Sequence, residues 1–83
     1  MKENRHRPGC KCAACSARWE ITLQAMREFY EIAGLQFVGI MTALEMARLW
    51  NDGIFEAFPN KAIGRLREES ERVSELITLI LEE

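Results

Sequence analysis

An unbroken rhythm of apolar residues between Trp19 and Asn51 most constrains what this chain can fold into. Steps of four and three residues separate its members, which are Trp19, Leu23, Met26, Tyr30, Ala33, Phe37, Ile40, Leu44 and Ala47. Such steps keep side chains on one face of a helix with 3.6 residues per turn. Because the rhythm passes Gly34 without a change of phase, we expect one long helix over residues 16–51, with Gly34 or Gly39 as the place for a bend. Two helices hinged at Gly34 are the alternative, since glycine near a helix end is a common stop signal.

A second helical pattern covers residues 61–83, after a turn at residues 52–60. Its apolar residues have heptad spacing over three heptads and comprise Ile63, Leu66, Val73, Ile77 and Ile80, with Ser70 as the one polar member of the row. Gly53 is expected to end the first helix, and Asn60 after Pro59 is expected to cap the second. The sequence therefore predicts an all-α fold, an antiparallel hairpin of two long helices.

A mismatch in helix length predicts a homodimer. The second helix is the shorter one and would leave the stretch from Trp19 to Met26 uncovered. The end of the second helix is also apolar on more than one side, which calls for two neighbours. Two hairpins packed together would cover both surfaces, so we expect a dimeric four-helix arrangement.

Length and composition favour a single domain over residues 1–83. Charged residues make up 29% and apolar residues 48% of the chain, which is typical of a globular protein and not of a disordered one. No apolar run approaches the roughly 18 residues needed to span a bilayer, so no membrane association is expected. The first ten residues contain no hydrophobic segment of a secretory signal. We therefore expect a cytoplasmic, reducing setting, in which cysteines serve as thiols or metal ligands.

All three cysteines of the chain and its only histidine fall close together near the start, as His6, Cys10, Cys12 and Cys15. Three thiolates and one imidazole are a common tetrahedral ligand set for Zn²⁺. Cys15 would lie at the entry to the long helix, where peptide N–H groups favour a thiolate. We therefore predict that residues 1–15 form a metal-binding knuckle. Four protein ligands leave no open coordination position, so the predicted zinc is structural.

The cysteines also allow three alternatives to this closed zinc site. Residues 1–15 could be a flexible basic tail with incidental thiols. The cysteines could instead hold an iron–sulfur cluster or form a redox pair, with a role in electron or metal transfer. A site completed by a second chain is the third alternative, and it applies if His6 is not a ligand.

Charge is unevenly distributed along the chain. Residues 1–18 contain Lys2, Arg5, Arg7, Lys11 and Arg18 against Glu3 alone, a net charge of +4, whereas the other 65 residues carry −6. A basic knuckle on an acidic body can bind nucleic acid or an acidic protein surface. Arg5, Arg7, Lys11 and Arg18 are accordingly candidate contacts to nucleic acid or to a protein partner.

The sequence offers no set of catalytic residues. Glu28 and Glu31 form a carboxylate pair at helical spacing that could bind Mg²⁺. The second pair such a site needs is missing, because Arg48 follows Glu45 where a carboxylate would be required. The only histidine is assigned to the metal, and no glycine-rich phosphate loop occurs. We therefore predict that the chain is not an enzyme.

Two functions remain as hypotheses. The first is a small zinc-stabilised regulatory or adaptor protein that acts by protein–protein binding. The apolar side chains of Phe55 and Phe58 in the turn are expected to plug the end of the bundle; in the sharper interpretation they are an exposed hook for a partner. The second hypothesis is a dimeric nucleic-acid-binding regulator that uses its two basic knuckles on a two-fold site.

Overall fold

The computed structural model describes residues 12–82, and every regular element in that range is helical. The elements are α1 (Ala13–Ala33), α2 (Ile40–Asn51), a short 3₁₀ helix (Phe55–Ala57), α3 (Asn60–Glu68) and α4 (Ser70–Leu81). The predicted all-α class is confirmed. The hairpin of two long helices is replaced by four shorter α-helices, because each predicted helix is interrupted once.

Helix α1 begins three residues before the predicted start at Ser16. Cys12 is its N-cap in extended conformation, and its Sγ accepts a hydrogen bond from the N–H of Cys15 at 3.4 Å. A sulfur acceptor here takes the place of the usual oxygen of a capping side chain. Cys15 therefore lies inside the first turn of α1 and not ahead of it.

The prediction of one continuous helix over residues 16–51 is wrong, and the alternative of two helices separated at Gly34 describes the chain. Gly34 adopts the left-handed conformation, with φ 72° and ψ 27°. Its N–H donates to the carbonyl of Glu31 at 3.0 Å, and the N–H of Leu35 donates to the carbonyl of Tyr30 at 2.9 Å. This pair of bonds is a Schellman stop, which satisfies carbonyls that a helix end leaves without partners. Residues 35–39 then form a non-helical connection to α2.

The predicted second helix is also interrupted, at Glu69. The backbone there leaves helical geometry, with φ −103° and ψ 34°, and separates α3 from α4. Three glutamates, Glu68, Glu69 and Glu71, crowd this point and repel one another. Ser70, expected within the apolar row, is exposed at the break, while Leu66 and Val73 on either side of it are buried.

One apolar cluster holds the four helices together. Its buried members are Ala25, Met26, Phe29, Tyr30, Ala33, Ala43, Ala47, Phe58, Ala62, Leu66, Val73, Leu76, Ile77 and Ile80. Helix α1 packs on α3, on α4 and, less extensively, on α2, which also packs on α4. Gly34 lies beside Arg65, and Glu28 pairs with Arg72, so α1 runs antiparallel to the α3–α4 pair. The repeated alanines let helix backbones approach closely.

The turn at residues 52–60 ends α2 as predicted. Gly53 has φ 78°, and the N–H of Ile54 donates to the carbonyl of Leu49 at 2.9 Å, a second Schellman stop. Asn60 is the first residue of α3 and not its cap, a position taken by Pro59. Proline suits the start of a helix because its missing N–H would have no helical partner there.

Tyr30 carries a buried polar atom that we expect to reduce stability. Its side chain is 3% exposed, and its hydroxyl has no hydrogen-bond partner within residues 12–82. Because an unsatisfied buried hydroxyl costs about 1–3 kcal/mol, Tyr30→Phe should raise the unfolding free energy by about 1 kcal/mol in urea titrations. Burial also raises the pKa of this hydroxyl above its ordinary value of 10, so wild-type stability should fall above pH 10 while that of the variant should not.

The control for this prediction is Tyr30→Leu. That change also removes the hydroxyl, but it loses the edge-on ring contacts with Phe29 and Phe37, whose centroids lie 5.9 and 5.5 Å away. It should destabilise the fold. A Tyr30→Phe variant that is less stable than wild type would show that the hydroxyl has a partner in solution.

Candidate protein-binding surfaces

A groove between α1 and α4 is the largest concave surface in the described part of the chain. It has a volume of about 470 Å³ and is lined by Ala17, Glu20, Ile21, Gln24, Ala25, Glu28, Arg72, Leu76 and Leu79. We call it the α1/α4 groove. Its floor is apolar and its rim carries the charged residues.

The groove exists because the core covers only the second half of α1. All buried residues of this helix lie between Ala25 and Ala33, and residues 12–24 are exposed or half-buried. Ile21 is 53% exposed, and the nearby Leu79 of α4 is half-buried. The first three turns of α1 therefore present an apolar wall that the described residues leave open.

An ion-pair network closes one end of this groove. Arg72 donates from Nε and Nη2 to the two carboxylate oxygens of Glu28, both at 2.7 Å, and from Nη1 to Glu75 at 2.7 Å. The hydrogen bond from Arg72 lowers the pKa of the Glu28 carboxyl, and the two glutamates raise the pKa of Arg72. This fork joins α1 to α4 at the middle of the fold, in a geometry that suits guanidinium and carboxylate.

The lowered pKa of Glu28 predicts a pH dependence of stability. A carboxyl whose pKa is lower in the folded state stabilises the fold above its unfolded value, here 4.5, and loses that contribution as the pH falls through the folded value. We therefore expect Glu28→Gln to have a lower melting temperature than wild type at pH 7, with the difference shrinking below pH 4.5. The pair is half-exposed, so the effect should be modest and should weaken with salt.

Thermal melts between pH 2.5 and pH 7 would measure this effect. The matched control is Glu20→Gln, on the rim of the same groove, because Glu20 makes no ion pair within residues 12–82. A Glu28→Gln deficit that persists unchanged at pH 2.5 would contradict the prediction.

Trp19 is exposed on a different side of α1 from Ile21. Two residues correspond to 200° around a helix, so Trp19 continues the row of Leu23 and Met26 that faces the core. It lies one turn beyond the core and is 47% exposed. The first half of α1 thus carries apolar side chains on two sides.

A second exposed apolar surface lies at the connection between α1 and α2. Val38 is 69% exposed, and Met41, in the first turn of α2, is 78% exposed. We call these two residues the connection patch. Phe37, their neighbour in the chain, turns inward against Tyr30 and lies near Arg27, whose guanidinium is 5.9 Å from the ring centroid. One side of the connection is therefore anchored and the other side faces outward.

The predicted hook at Phe55 and Phe58 has to be corrected. Phe58 is 4% exposed, and its ring lies 5.4 Å from Trp50. Phe55 is half-buried between Trp50, at 4.6 Å, and the guanidinium of Arg67, at 4.9 Å. Both rings pack inward because they close the end of the apolar cluster, so neither offers a partner an exposed hook.

Of the predicted metal ligands, the structure places Cys12 and Cys15. They lie at the N-cap and in the first turn of α1, where Cys12 is exposed and Cys15 is half-buried. His6 and Cys10 lie outside the described residues. Within residues 12–82, no three side chains of histidine, cysteine, aspartate or glutamate are grouped so that they could hold a metal ion.

Of the predicted basic contacts, only Arg18 lies in the described range, where it is exposed on α1. Arg5, Arg7 and Lys11 lie outside it. The sequence reasoning missed Ile21 and the connection patch. An apolar residue placed off the repeating row was the available signal for Ile21. Nothing in the sequence indicated the pairing of Glu28 with Arg72, which are 44 positions apart.

No known protein family has a model that matches this chain, and neither a curated protein nor a solved structure matches it. None of the helices within residues 12–82 combines the length and the hydropathy that crossing a bilayer requires. The function therefore has to be inferred from the surfaces described above.

Proposed function

We propose that this chain is a small zinc-stabilised helical adaptor that works as a homodimer and acts by binding another protein. The observation that carries the proposal is the exposure of large apolar side chains on two separate surfaces, the α1/α4 groove and the connection patch. Exposed apolar surface of this kind commonly marks an interaction site. Two such surfaces allow one partner to be a second copy and the other to be a client protein.

The connection patch is the surface we assign to the client protein. Val38 and Met41 are the most exposed large apolar side chains in the described range. Methionine is unbranched and polarizable, so it adapts to different partner surfaces. The anchored Phe37 holds the patch in place, which reduces the ordering that binding would otherwise require.

Affinity capture from cell extract would test the adaptor role. We expect wild type to retain a stoichiometric protein partner that the double variant Val38→Ser, Met41→Ser does not retain. Thr42→Ser, an exposed change on the same helix, is the control and should bind as wild type does. A wild-type chain that retains nothing above background, or a partner that the double variant binds equally well, would contradict the proposal.

The zinc part of the proposal is supported by the donor set. Cys12 and Cys15 are three residues apart at one end of α1, and the N–H of Cys15 is directed at Cys12 Sγ. Peptide N–H groups at a helix start suit thiolate ligands. His6 and Cys10 would complete four ligands, and the ion would fix the start of α1 to the residues that precede it.

Metal analysis of the purified protein tests this part. We expect one zinc per chain, and we expect Cys15→Ser, Cys12→Ser and Cys10→Ser each to lower the zinc content and the affinity for zinc. Ser16→Ala, a change in the same turn that removes no expected ligand, should keep full occupancy. Zinc content that is unaffected by Cys15→Ser would exclude this ligand set.

A dimeric nucleic-acid-binding regulator is the second candidate function. It is favoured by the net charge of +4 on residues 1–18 and by the exposure of Arg18. Binding through phosphate contacts requires that affinity falls steeply as salt rises, because counterions are released on binding. Arg18→Ala should weaken such binding and reduce its salt dependence. Affinity that does not change with salt would exclude this function.

A further inference from the structure

We propose that a second copy of this chain occupies the α1/α4 groove, with the two α1 helices packed antiparallel about a two-fold axis near Ile21. This inference rests on the homodimer in the proposed function and specifies its surface and its direction. Three properties of the chain support it: the shape of α1, the distribution of charge, and the lack of another apolar segment that could fill the groove.

The exposed face of α1 has the spacing of a helix–helix seam. Ala14, Ala17, Ile21, Gln24 and Glu28 follow one another at steps of three and four residues, and none of them is buried. This spacing is what two helices need to pack side by side at a small crossing angle. The small residues Ala14 and Ala17 allow close approach, and the protruding Ile21 provides the apolar centre.

A two-fold axis at Ile21 makes this seam self-complementary. In an antiparallel pair, Ala17 of one copy lies opposite Ala25 of the other, and Ala14 lies opposite Glu28. The same patch then serves both copies, as a two-fold interface requires. Leu79, half-buried at the edge of the groove, would be covered by the start of the incoming helix.

Charge determines the direction of the pairing. The chain before Ile21 is basic, with +4 on residues 1–18. The opposite end of the groove is acidic, because Glu68, Glu69, Glu71 and Glu75 surround Arg72 there. Antiparallel packing brings the basic start of one α1 to the acidic end of the other, twice by symmetry. Parallel packing would place the two basic starts together and would be disfavoured.

The chain offers no other apolar segment to fill the groove. Residues 1–11 contain one large apolar side chain, Met1, alongside four basic residues. Such a segment cannot cover an apolar floor made by Ile21, Leu76 and Leu79. The face of α1 that a second copy offers is apolar and has the length of the groove.

The seam from Cys12 to Glu28 is roughly 25 Å long at 1.5 Å per residue. An interface of that length lies at the small end of the range for specific complexes. We therefore expect a dissociation constant on the order of micromolar, and we expect it to rise with ionic strength because the ends of the interface pair opposite charges.

Sedimentation over a range of protein concentrations, at low and at high salt, tests the surface. Ile21→Glu should raise the dimer dissociation constant at least tenfold, because two like charges would meet at the axis. Met41→Glu is the matched control, an exposed apolar residue outside the groove, and its dissociation constant should equal that of wild type. Thermal melts of both variants would show that each is folded.

Photocrosslinking tests the direction. With p-benzoylphenylalanine in place of Ala14, we expect links to residues around Glu28 of the other copy, located by mass spectrometry. Links from position 14 to position 14 would overturn the antiparallel arrangement. Links in extract that join position 14 or 21 only to a different protein would overturn the assignment of a second copy to this groove.

The outcomes separate this inference from the proposed function. A dimer that persists unchanged in Ile21→Glu overturns the surface and leaves the dimeric adaptor standing. A wild-type chain that sediments as a monomer at all concentrations overturns this inference, while capture of a client through Val38 and Met41 would still support the adaptor.

Discussion

Phe29→Ala is expected to lower the free energy of unfolding by about 3–5 kcal/mol, the largest effect expected of any single substitution in this fold. Phe29 is completely buried at 0% exposure, in the half of α1 that packs against the other helices. Removing the ring deletes its apolar burial and leaves a cavity that the surrounding helices can fill only in part. A chain of 83 residues has a total stability of roughly 4–12 kcal/mol, so the variant should be largely unfolded under mild denaturing conditions.

Urea unfolding followed by circular dichroism would measure this loss. Because so large a loss can remove the folded baseline, Phe29→Leu serves as the graded change and should cost less, about 1–2 kcal/mol. Val38→Ala is the matched control, since Val38 is exposed, and should change stability by less than about 0.5 kcal/mol. A Phe29→Ala loss no larger than that of the control would place Phe29 outside the core.

Gly34→Ala should destabilise the fold by about 1–2 kcal/mol, because the left-handed conformation brings the Cβ of an L residue too close to the following carbonyl. The φ of 72° at Gly34 is required by the turn that leads from α1 into the connection. A new Cβ would meet the Arg65 guanidinium at 3.4 Å, which is ordinary contact, so the backbone conformation and not crowding causes the loss.

Gly64→Ala is the opposite control. Gly64 lies inside α3, and a Cβ added there has no neighbour within 4 Å. Alanine should therefore stabilise the fold by about 0.5–1 kcal/mol through helix propensity alone. If Gly34→Ala also proved stabilising, residues 33–36 would have to be helical in solution and the break at Gly34 would be wrong.

The apolar rhythm predicted which residues are buried better than it predicted where helices end. Ala33, Ala43 and Ala47 are buried as an amphipathic helix requires, and Gly53 ends α2 at the predicted place. The stop at Gly34 was obscured because Leu35 and Phe37, which follow it, are apolar. They are apolar because the connection itself packs on the core, a tertiary cause that local periodicity cannot distinguish from a continuing helix.

The features that define the candidate surfaces are also tertiary. The exposure of Ile21 depends on where α4 ends relative to α1, and the pairing of Glu28 with Arg72 joins residues far apart in sequence. Neither follows from spacing within one helix. The prediction of an exposed hook at Phe55 and Phe58 was wrong for the same reason, since Trp50 comes from another element to cover both rings.

The division of α1 into a covered and an uncovered half has a thermodynamic consequence. An isolated helix of 13 residues, the number from Cys12 to Gln24, is marginal in water. A zinc ion at its beginning and a twin chain along its side would both order this same stretch. Each would then meet part of the entropic cost for the other, so their binding free energies should be linked: chelation should weaken self-association, and dilution should weaken zinc affinity by the same factor.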